Sequence, residues 1–209
     1  MIRLPGKIED NSPARFEEIF EKRYGLSPTI LELERFKALL RYYSGGDLLD
    51  VGCLDSPIPG LIGDVLQDRA GRYYGLDQAE EAMVKREITN ILPNVHYFPC
   101  DLYKTPFVDG QFDAVVMGEV LEHLLDPEAA LAEAMRILKP GGMLAISVPL
   151  NEAREPGAVD AAHLWSFTRA DFEWMLNPLG WLKFKTLRRG WRLWRPHHWP
   201  VLICWCRKI

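Results

Sequence analysis

Acidic residues stand at the ends of the first four predicted strands, each in or next to an apolar run. They are Asp50, Asp77, Asp101 and Glu119. An isolated carboxylate beside a core is costly, so burial alone does not require acids at these places. In open parallel sheets, ligands bind beyond the carboxyl ends of the strands, where the strand order reverses. The four acids therefore indicate a ligand site along that edge.

Each position suits a part of a nucleoside. Asp77 is expected to hold both hydroxyls of a ribose, since a carboxylate offers two acceptor oxygens and no donor. Gly52 would let the backbone approach a ligand closely. Asp101 and the backbone of Leu102 are expected to hold an adenine amino group and ring nitrogen. An aspartate can also cap a helix, so each acid alone has a structural explanation, but together they favour a nucleoside ligand.

A second group of residues could act on a substrate. Glu119, Glu122 and His123 have i, i+3, i+4 spacing, so a helix beginning after the fourth strand would place them on one face. With His163 as a fourth member, carboxylates and imidazoles of this kind can bind a divalent metal. Alternatively, Glu122 and His123 orient each other, and His123 is a general base for a hydroxyl, because its unperturbed pKa is about 6.5. We favour the base over a metal site.

Alternating strands and helices must position these residues. Short apolar runs predict strands at Leu48–Val51, Tyr73–Leu76, Val95–Phe98, Phe112–Met117 and Met143–Val148. The stretches between them predict helices at Ile62–Arg69, Ala79–Ile91 and Pro127–Leu138, the last ended by Lys139–Gly142. Continuous apolar strands that alternate with helices predict an α/β fold, with a mostly parallel sheet covered on both faces.

The flanking segments complete one predicted domain, residues 1–209. Residues 1–43 form a helical cover, with helices predicted at Ser12–Arg23 and Thr29–Tyr43. Residues 149–209 form a substrate-side loop, helix and hairpin. Their predicted parts are a mobile loop at Asn151–Ala162, a helix at Thr168–Leu176 and hairpin strands at Leu182–Leu187 and Val201–Cys206. The acceptor pocket is expected between these two covers.

Composition limits the class of protein. With 48% hydrophobic and 26% charged residues in 209, the chain is globular rather than disordered. Four cysteines do not make a disulfide scaffold, and free thiols favour a reducing cytoplasm. The first residues lack the apolar run of a signal peptide, and no stretch predicts a membrane span.

The C-terminal segment is basic and aromatic. Residues 177–209 contain eight Lys or Arg and no Asp or Glu, with tryptophans between them. Such a mixture can bind nucleic acid or an anionic membrane surface. We favour a terminal antiparallel hairpin, with tryptophans packed on the sheet and cations facing water, because Trp is an ordinary strand residue.

Several ordered segments resemble class I S-adenosylmethionine-dependent methyltransferases, and most closely the ubiquinone-biosynthesis-like branch that acts on small molecules. They are Leu48–Cys53, Tyr74–Asp77, Phe112–Val116, Glu119–Leu124 and Arg136–Gly142. The resemblance covers about Leu48–Gly180. It implies a doubly wound, seven-stranded Rossmann-like sheet with a C-terminal antiparallel hairpin, and S-adenosylmethionine as the cofactor.

The resemblance also implies roles for particular residues. The cofactor-binding set is Asp50, Gly52, Cys53, Leu54, Asp77, Gln78, Asp101, Leu102, Gly118 and Glu119. His123 is the implied catalytic residue, and the acceptor is expected to be a small molecule, methylated on oxygen. The family usually has two more glycines after the first strand, where this chain has Leu54 and Ser56. A dinucleotide dehydrogenase, the rival for Gly52 and Asp77, would need three glycines in that loop.

Two other functions stay open. The pattern from Glu119 to His123, with the later His163, resembles RNA 3′-terminal 2′-O-methyltransferases that use a metal, so RNA is an alternative acceptor. The second alternative is a non-catalytic module that binds S-adenosylmethionine and signals through a partner. Salt-sensitive RNA binding would separate the first alternative from the small-molecule enzyme.

Overall fold

The protein is described from a computed structural model, which covers residues 2–3, 30–54, 56–69, 71–150, 163–176, 180–187 and 200–209. Its strands are β1 Ile2–Arg3, β2 Leu48–Val51, β3 Tyr73–Asp77, β4 Val95–Pro99, β5 Phe112–Gly118, β6 Leu138–Pro149, β7 Trp165–Ser166, β8 Gly180–Leu187 and β9 Val201–Lys208. Its helices are α1 Ile30–Leu39, α2 Ile58–Asp68, α3 Glu80–Thr89, α4 Pro127–Ile137 and α5 Arg169–Leu176.

Seven strands form one sheet in the order β4-β3-β2-β5-β6-β9-β8. The pairs from β4 to β6 are parallel, and β9 pairs antiparallel with both β6 and β8. This confirms the predicted α/β sheet with a C-terminal hairpin. The order reverses between β2 and β5, where Asp50 is opposite Val116. The carboxyl ends of β2 and β5 therefore border the crevice in which such sheets bind ligands.

Helices cover both faces because successive strand residues point to opposite sides. Leu49 and Val51 face one core with α4 and α5, while Leu48 faces the other with α1, α2 and α3. Most strand positions are buried on both faces, as the continuous apolar runs predict. At the start of α4 the Asp126 carboxylate accepts the Ala129 N–H at 2.9 Å, an ordinary N-cap.

The largest differences from the predicted elements concern α2, β6 and β1. Helix α2 begins at Ile58, one turn earlier than predicted, because Pro59 fits the first turn of a helix. The segment Lys139–Gly142 ends α4 as predicted, but it belongs to β6, which is longer than predicted. The short β1 pairs with β7 and was not predicted. The predicted helix Ser12–Arg23 and the loop Asn151–Ala162 lie outside the described residues.

Strand β9 of the basic hairpin packs into the core. Trp205 is 3% exposed, and its indole N–H donates to the Leu39 carbonyl at 3.0 Å. Its ring meets that of Tyr42 edge to face, with centroids 5.3 Å apart. This tryptophan therefore packs as predicted for a hairpin, whereas Trp191 and its neighbours lie outside the described residues. Among the described helices, none has the length and apolarity needed to span a bilayer.

Candidate functional site

Asp50 is a buried carboxylate at the end of β2. It is 1% exposed, and it accepts a hydrogen bond from the Tyr73 hydroxyl at 2.8 Å. Burial raises its pKa to about 6, although hydrogen bonds from Ser56 and Tyr73 and the charges of Arg86 and Arg35 act in the opposite direction. Burial has the largest effect because desolvation disfavours the charged form. An ionised Asp50 would therefore attract a cationic group.

Two features hold the loop after β2. Gly52 has φ +71°, and a Cβ there would come within 2.6 Å of Val120, so glycine is required by backbone conformation and by space. The Arg86 guanidinium of α3 donates to the Cys53 carbonyl at 2.7 Å and also to the Leu54 carbonyl. This loop lacks the family's further glycines, and a side chain from α3 fixes its path.

Cys53 and Leu54, which the resemblance places in the cofactor-binding set, make contacts within the protein. The Cys53 thiol is fully buried, 3.6 Å from the Met83 sulfur, and burial raises its pKa well above the ordinary value. Its side chain therefore belongs to the core. Because the Cys53 and Leu54 carbonyls already accept from Arg86, the role of this pair is to shape the loop.

The ends of β3 and β4 carry the predicted ribose and adenine residues. Asp77 is 6% exposed, and its Oδ1 accepts the Ala79 N–H at 3.1 Å, which forms an Asx turn just before α3. Gln78 is half-buried beside it. Asp101 is exposed and accepts the Tyr103 N–H at 2.9 Å, whereas Leu102 is 7% exposed and packs in the core. Asp77 therefore shapes the chain as it enters α3.

The end of β5 faces α1. A side chain at Gly118 would meet Leu39 at 3.4 Å and Phe36 at 3.5 Å, so the helix lies directly against this strand end. Glu119 follows with φ +58°, the one positive value among the described non-glycine residues. Its carboxylate, with the side chain 36% exposed, forms an ion pair with the Arg35 guanidinium of α1.

Three of the four residues considered for a metal come together. One ligand atom from each of Glu122, His123 and His163 lies within 4.8 Å of the others. The two imidazole rings meet edge to face, with centroids 4.7 Å apart. Glu122 is fully buried, and both histidines are half-buried. These side chains have the donor types that hold a divalent metal, and they equally suit an imidazole oriented by its neighbours.

Backbone hydrogen bonds join the two segments that carry this cluster. The Leu164 N–H donates to the Glu122 carbonyl at 2.7 Å. The Trp165 indole N–H donates to the Leu124 carbonyl, also at 2.7 Å. His163 is therefore held opposite Glu122 and His123 although it is 40 residues further along the chain.

The predicted helix beginning after β5 is wrong. The chain instead bends at Glu119 and makes a single 3-10 turn at Leu121–His123. In the left-handed conformation, Glu119 leaves the face that Glu122 and His123 share, and its carboxylate pairs with Arg35. Glu119 is therefore not a member of the three-residue cluster.

Sequence reasoning missed two cationic residues of the site. Arg35 and Arg86 both lie on helices, where an arginine is usually a solvent-exposed residue. Arg35 is 9% exposed, and the Arg86 guanidinium reaches the loop after β2. No spacing rule marks them, because each meets its partners across the fold rather than along the chain.

Comparisons with known proteins agree with this architecture. A profile described as a methyltransferase domain matches residues 49–146. A probable S-adenosylmethionine-dependent methyltransferase of Mycolicibacterium smegmatis is 29% identical over 154 residues, which cover 74% of this chain and 52% of that protein. A demethylmenaquinone methyltransferase of Staphylococcus epidermidis is 30% identical over 137 residues, which cover 62% of this chain and 56% of that protein.

Solved structures share the fold. The crystal structure of a SAM-dependent methyltransferase from Aquifex aeolicus has a TM-score of 0.67 at 20% identity, covering 95% of this chain and 99% of that one.

Three of the curated relatives are matched over 30%, 52% and 40% of their length, so this chain spans about a third to a half of each. The matched domain runs from β2 to β6 and contains four of the strand ends described above. Residues 49–146 of this chain therefore match a methyltransferase domain, and the fold is that of S-adenosylmethionine-dependent methyltransferases.

Proposed function

We propose that this protein transfers a methyl group from S-adenosylmethionine to a hydroxyl oxygen of a small molecule. One observation carries the proposal: acids and an imidazole gather at the carboxyl edge of a sheet whose strand order reverses there. The match to a methyltransferase domain and the similarity to an S-adenosylmethionine-dependent relative support the cofactor. The demethylmenaquinone methyltransferase relative, by its name, supports a small molecule rather than a macromolecule as the acceptor.

The cofactor would lie across the ends of β2, β3, β4 and β5. Asp77 would hold the ribose hydroxyls through its carboxylate, with Gln78 beside it. Asp101 and the Leu102 backbone would hold the adenine. Gly52 and the loop of Cys53 and Leu54 would face the sulfur side, and Gly118 and Glu119 would close the site from β5. Asp50 and Glu119 would supply negative charge for the cofactor's ammonium group.

The proposed transfer needs alignment and the removal of one proton. The acceptor oxygen attacks the methyl carbon in line with the sulfur, a C–O bond forms, and the C–S bond breaks with its electron pair going to sulfur. The His123 imidazole takes the hydroxyl proton, which it later releases to solvent. The products are a methyl ether and S-adenosylhomocysteine. Glu122 and His163 would fix the orientation of the imidazole of His123.

The cluster of Glu122, His123 and His163 also has the donor atoms of a metal site. His123 cannot be both a metal ligand and the general base through the same nitrogen. A nitrogen that ligates a metal cannot also accept the substrate proton. We propose the metal-free base, in which Glu122 and His163, each with a ligand atom within 4.8 Å of one on His123, orient its imidazole. Dialysis against a chelator should then leave the methyl-transfer rate unchanged, and loss of activity that Zn²⁺ or Mg²⁺ restores would reverse this assignment.

Replacement of His123 tests the proposed reaction. Methyl transfer from labelled S-adenosylmethionine to a panel of phenols and alcohols should fall about 100-fold or more in His123→Ala, in the range typical of a lost general base. Affinity for S-adenosylhomocysteine should stay within about twofold, because the imidazole does not hold the cofactor.

His96→Ala is the matched control. His96 lies on β4 beside Glu87, with 3.5 Å between its Nδ1 and a carboxylate oxygen. Its loss should leave the methyl-transfer rate unchanged. A wild-type rate in His123→Ala would remove its catalytic role. Absence of transfer by the wild type to every acceptor, with the cofactor bound, would favour the non-catalytic module.

The RNA alternative depends on the cluster of Glu122, His123 and His163, which the fold does assemble. Trp205 does not add to it, since this tryptophan packs in the core rather than on a surface. RNA binding that weakens steeply as salt rises would favour this alternative over the small-molecule enzyme.

A further inference from the structure

Exposed lysines lie on the side of the sheet that α1 covers. Lys183 and Lys185 are exposed on β8, an edge strand, and because they are two residues apart they point to the same side. Lys183 is directly opposite Trp205 on β9, whose indole N–H donates to the Leu39 carbonyl of α1. The hairpin therefore presents both lysines on the α1 side of the sheet, beyond the helix.

Two arginines extend this set. Arg41, just after α1, is exposed, and its guanidinium and the Lys183 ammonium lie over the Tyr42 ring, 5.7 and 5.3 Å from the centroid. Arg207 is exposed on β9, two residues beyond Trp205, and it lines one cavity together with Tyr42. The four cations form a cationic face, which consists of Arg41, Lys183, Lys185 and Arg207.

The acids described at the border of the cationic face are paired with other cations. Asp113 also lines the cavity, and the Lys139 ammonium pairs with its carboxylate at 2.7 Å. Glu34 on α1 pairs with Lys37 at 3.2 Å. The chain as a whole has a net charge of −4, so the cationic face is a local concentration of positive charge on an acidic protein.

A basic face can bind nucleic acid or an anionic membrane, and its aromatic rings distinguish the two. Proteins that hold single-stranded nucleic acid stack the bases on open aromatic rings. Here the Trp205 ring is buried. The Tyr42 ring has two cations over it and the Trp205 ring at its edge, so a stacked base would compete with these contacts. Lipid headgroups need only a charged surface, which the exposed lysines of the edge strand provide.

We infer that the cationic face binds the surface of a membrane that contains anionic lipids. Each Lys or Arg near an anionic leaflet strengthens binding about fivefold, so four together give a strong attraction that salt screens. Strand β8 is separated from β5 by β6 and β9, so docking through this face leaves the strand ends assigned to the cofactor uncovered. The inference does not depend on the proposed function.

Cosedimentation with lipid vesicles tests the inference. At low salt, wild type should bind vesicles of equal parts phosphatidylglycerol and phosphatidylcholine at least about 10-fold more tightly than vesicles of phosphatidylcholine alone, and high salt should remove the difference. Lys183→Gln/Lys185→Gln should bind the anionic vesicles about 30-fold more weakly, at about fivefold for each lysine. The matched control, Lys85→Gln/Lys104→Gln, removes two exposed lysines near the opposite end of the sheet and should stay within about threefold of wild type.

The other outcomes overturn the inference. Wild type that binds both kinds of vesicle alike, or neither, refutes it without any variant, so a misfolded variant cannot hide the result. Equal weakening in both double variants would show that overall charge, and not the cationic face, attracts the protein. Release from the vesicles by inorganic phosphate at constant ionic strength would show a site for a single anion. Tighter binding to single-stranded RNA than to the anionic vesicles, lost in Lys183→Gln/Lys185→Gln, would make the face a nucleic-acid surface.

Discussion

Asp77 has one task in the fold and a second that we propose in cofactor binding. Its Oδ1 accepts the Ala79 N–H at 3.1 Å and so shapes the entry to α3. The ribose role proposed for it therefore depends on a side chain that the turn already orients. A residue that serves local structure can still bind a ligand, because each carboxylate oxygen accepts more than one hydrogen bond.

Replacement of Asp77 should weaken the cofactor complex. Asp77→Ala is expected to cost about 1.5–3 kcal/mol of binding free energy for S-adenosylhomocysteine, measured by calorimetry, from the loss of charge-assisted hydrogen bonds. Asp77→Asn keeps an acceptor for Ala79 but loses the charge, and should show most of that loss. An unchanged affinity in both variants would refute the ribose assignment. Asp68→Ala, an exposed change at the end of α2, is the control.

Asp50 should make folding stability depend on pH. Its pKa is raised from 3.8 to about 6 in the folded protein, so the folded state holds its proton more tightly than the unfolded state. The stability contribution of Asp50 should therefore fall as the pH rises from about 4 to about 6, by at most about 3 kcal/mol, and stay low above that.

Asp50→Asn should abolish this dependence. The variant should be about 1–3 kcal/mol more stable than wild type at pH 8, because no charge is buried, and the difference should narrow at pH 5. Thermal unfolding at the two pH values measures it. The opposite result is that Asp50→Asn is less stable than wild type, by the same amount at pH 8 and at pH 5. That result would show that hydrogen bonds hold the carboxylate and that burial does not penalise it.

Among the elements, the loop after β2 is held in place by a side chain from helix α3. The family's glycines are missing at Leu54 and Ser56, and Arg86 of α3 holds the loop through the Cys53 and Leu54 carbonyls. The Arg86 guanidinium also stacks over the Tyr97 ring, 4.4 Å from its centroid. The path of this loop therefore depends on how α3 packs against β4.

Removal of Arg86 should loosen this loop. Arg86→Met keeps the length of the side chain but loses both hydrogen bonds, and should reduce stability by about 1–3 kcal/mol. Amide hydrogen exchange at Gly52 to Ser56 should become faster, and affinity for S-adenosylhomocysteine should fall. In contrast, Arg169→Met removes an exposed ion pair with Glu173 and should change stability by less than about 1 kcal/mol. If amide hydrogen exchange in the loop stays as slow in Arg86→Met as in wild type, the loop does not depend on Arg86.

The sequence predicted most elements and missed the geometry between them. The strand at Leu48–Val51 was predicted with its observed bounds, because a run buried on both faces is apolar throughout. The bend at Glu119 was missed, since i, i+3, i+4 spacing also fits a helix and nothing local shows the positive φ. The contacts of Arg35 and Arg86 could not be predicted either, because they join residues that are distant in sequence.

For the whole molecule, the sheet brings together residues from distant parts of the chain. Asp50, Asp77 and Glu119 belong to separate strand ends, and His163 reaches His123 from a segment 40 residues away. The core holds them in place from both faces, and the hairpin closes the sheet beyond β6. The chemistry proposed here is therefore a property of the fold and not of any one motif.

Calorimetric titration of the wild-type protein with S-adenosylhomocysteine shows whether the sheet edge binds the cofactor. We predict heat of binding with one site per chain, together with a rise in the thermal unfolding temperature as the ligand concentration increases. A titration without heat, with an unfolding temperature that stays constant at millimolar ligand, would contradict it.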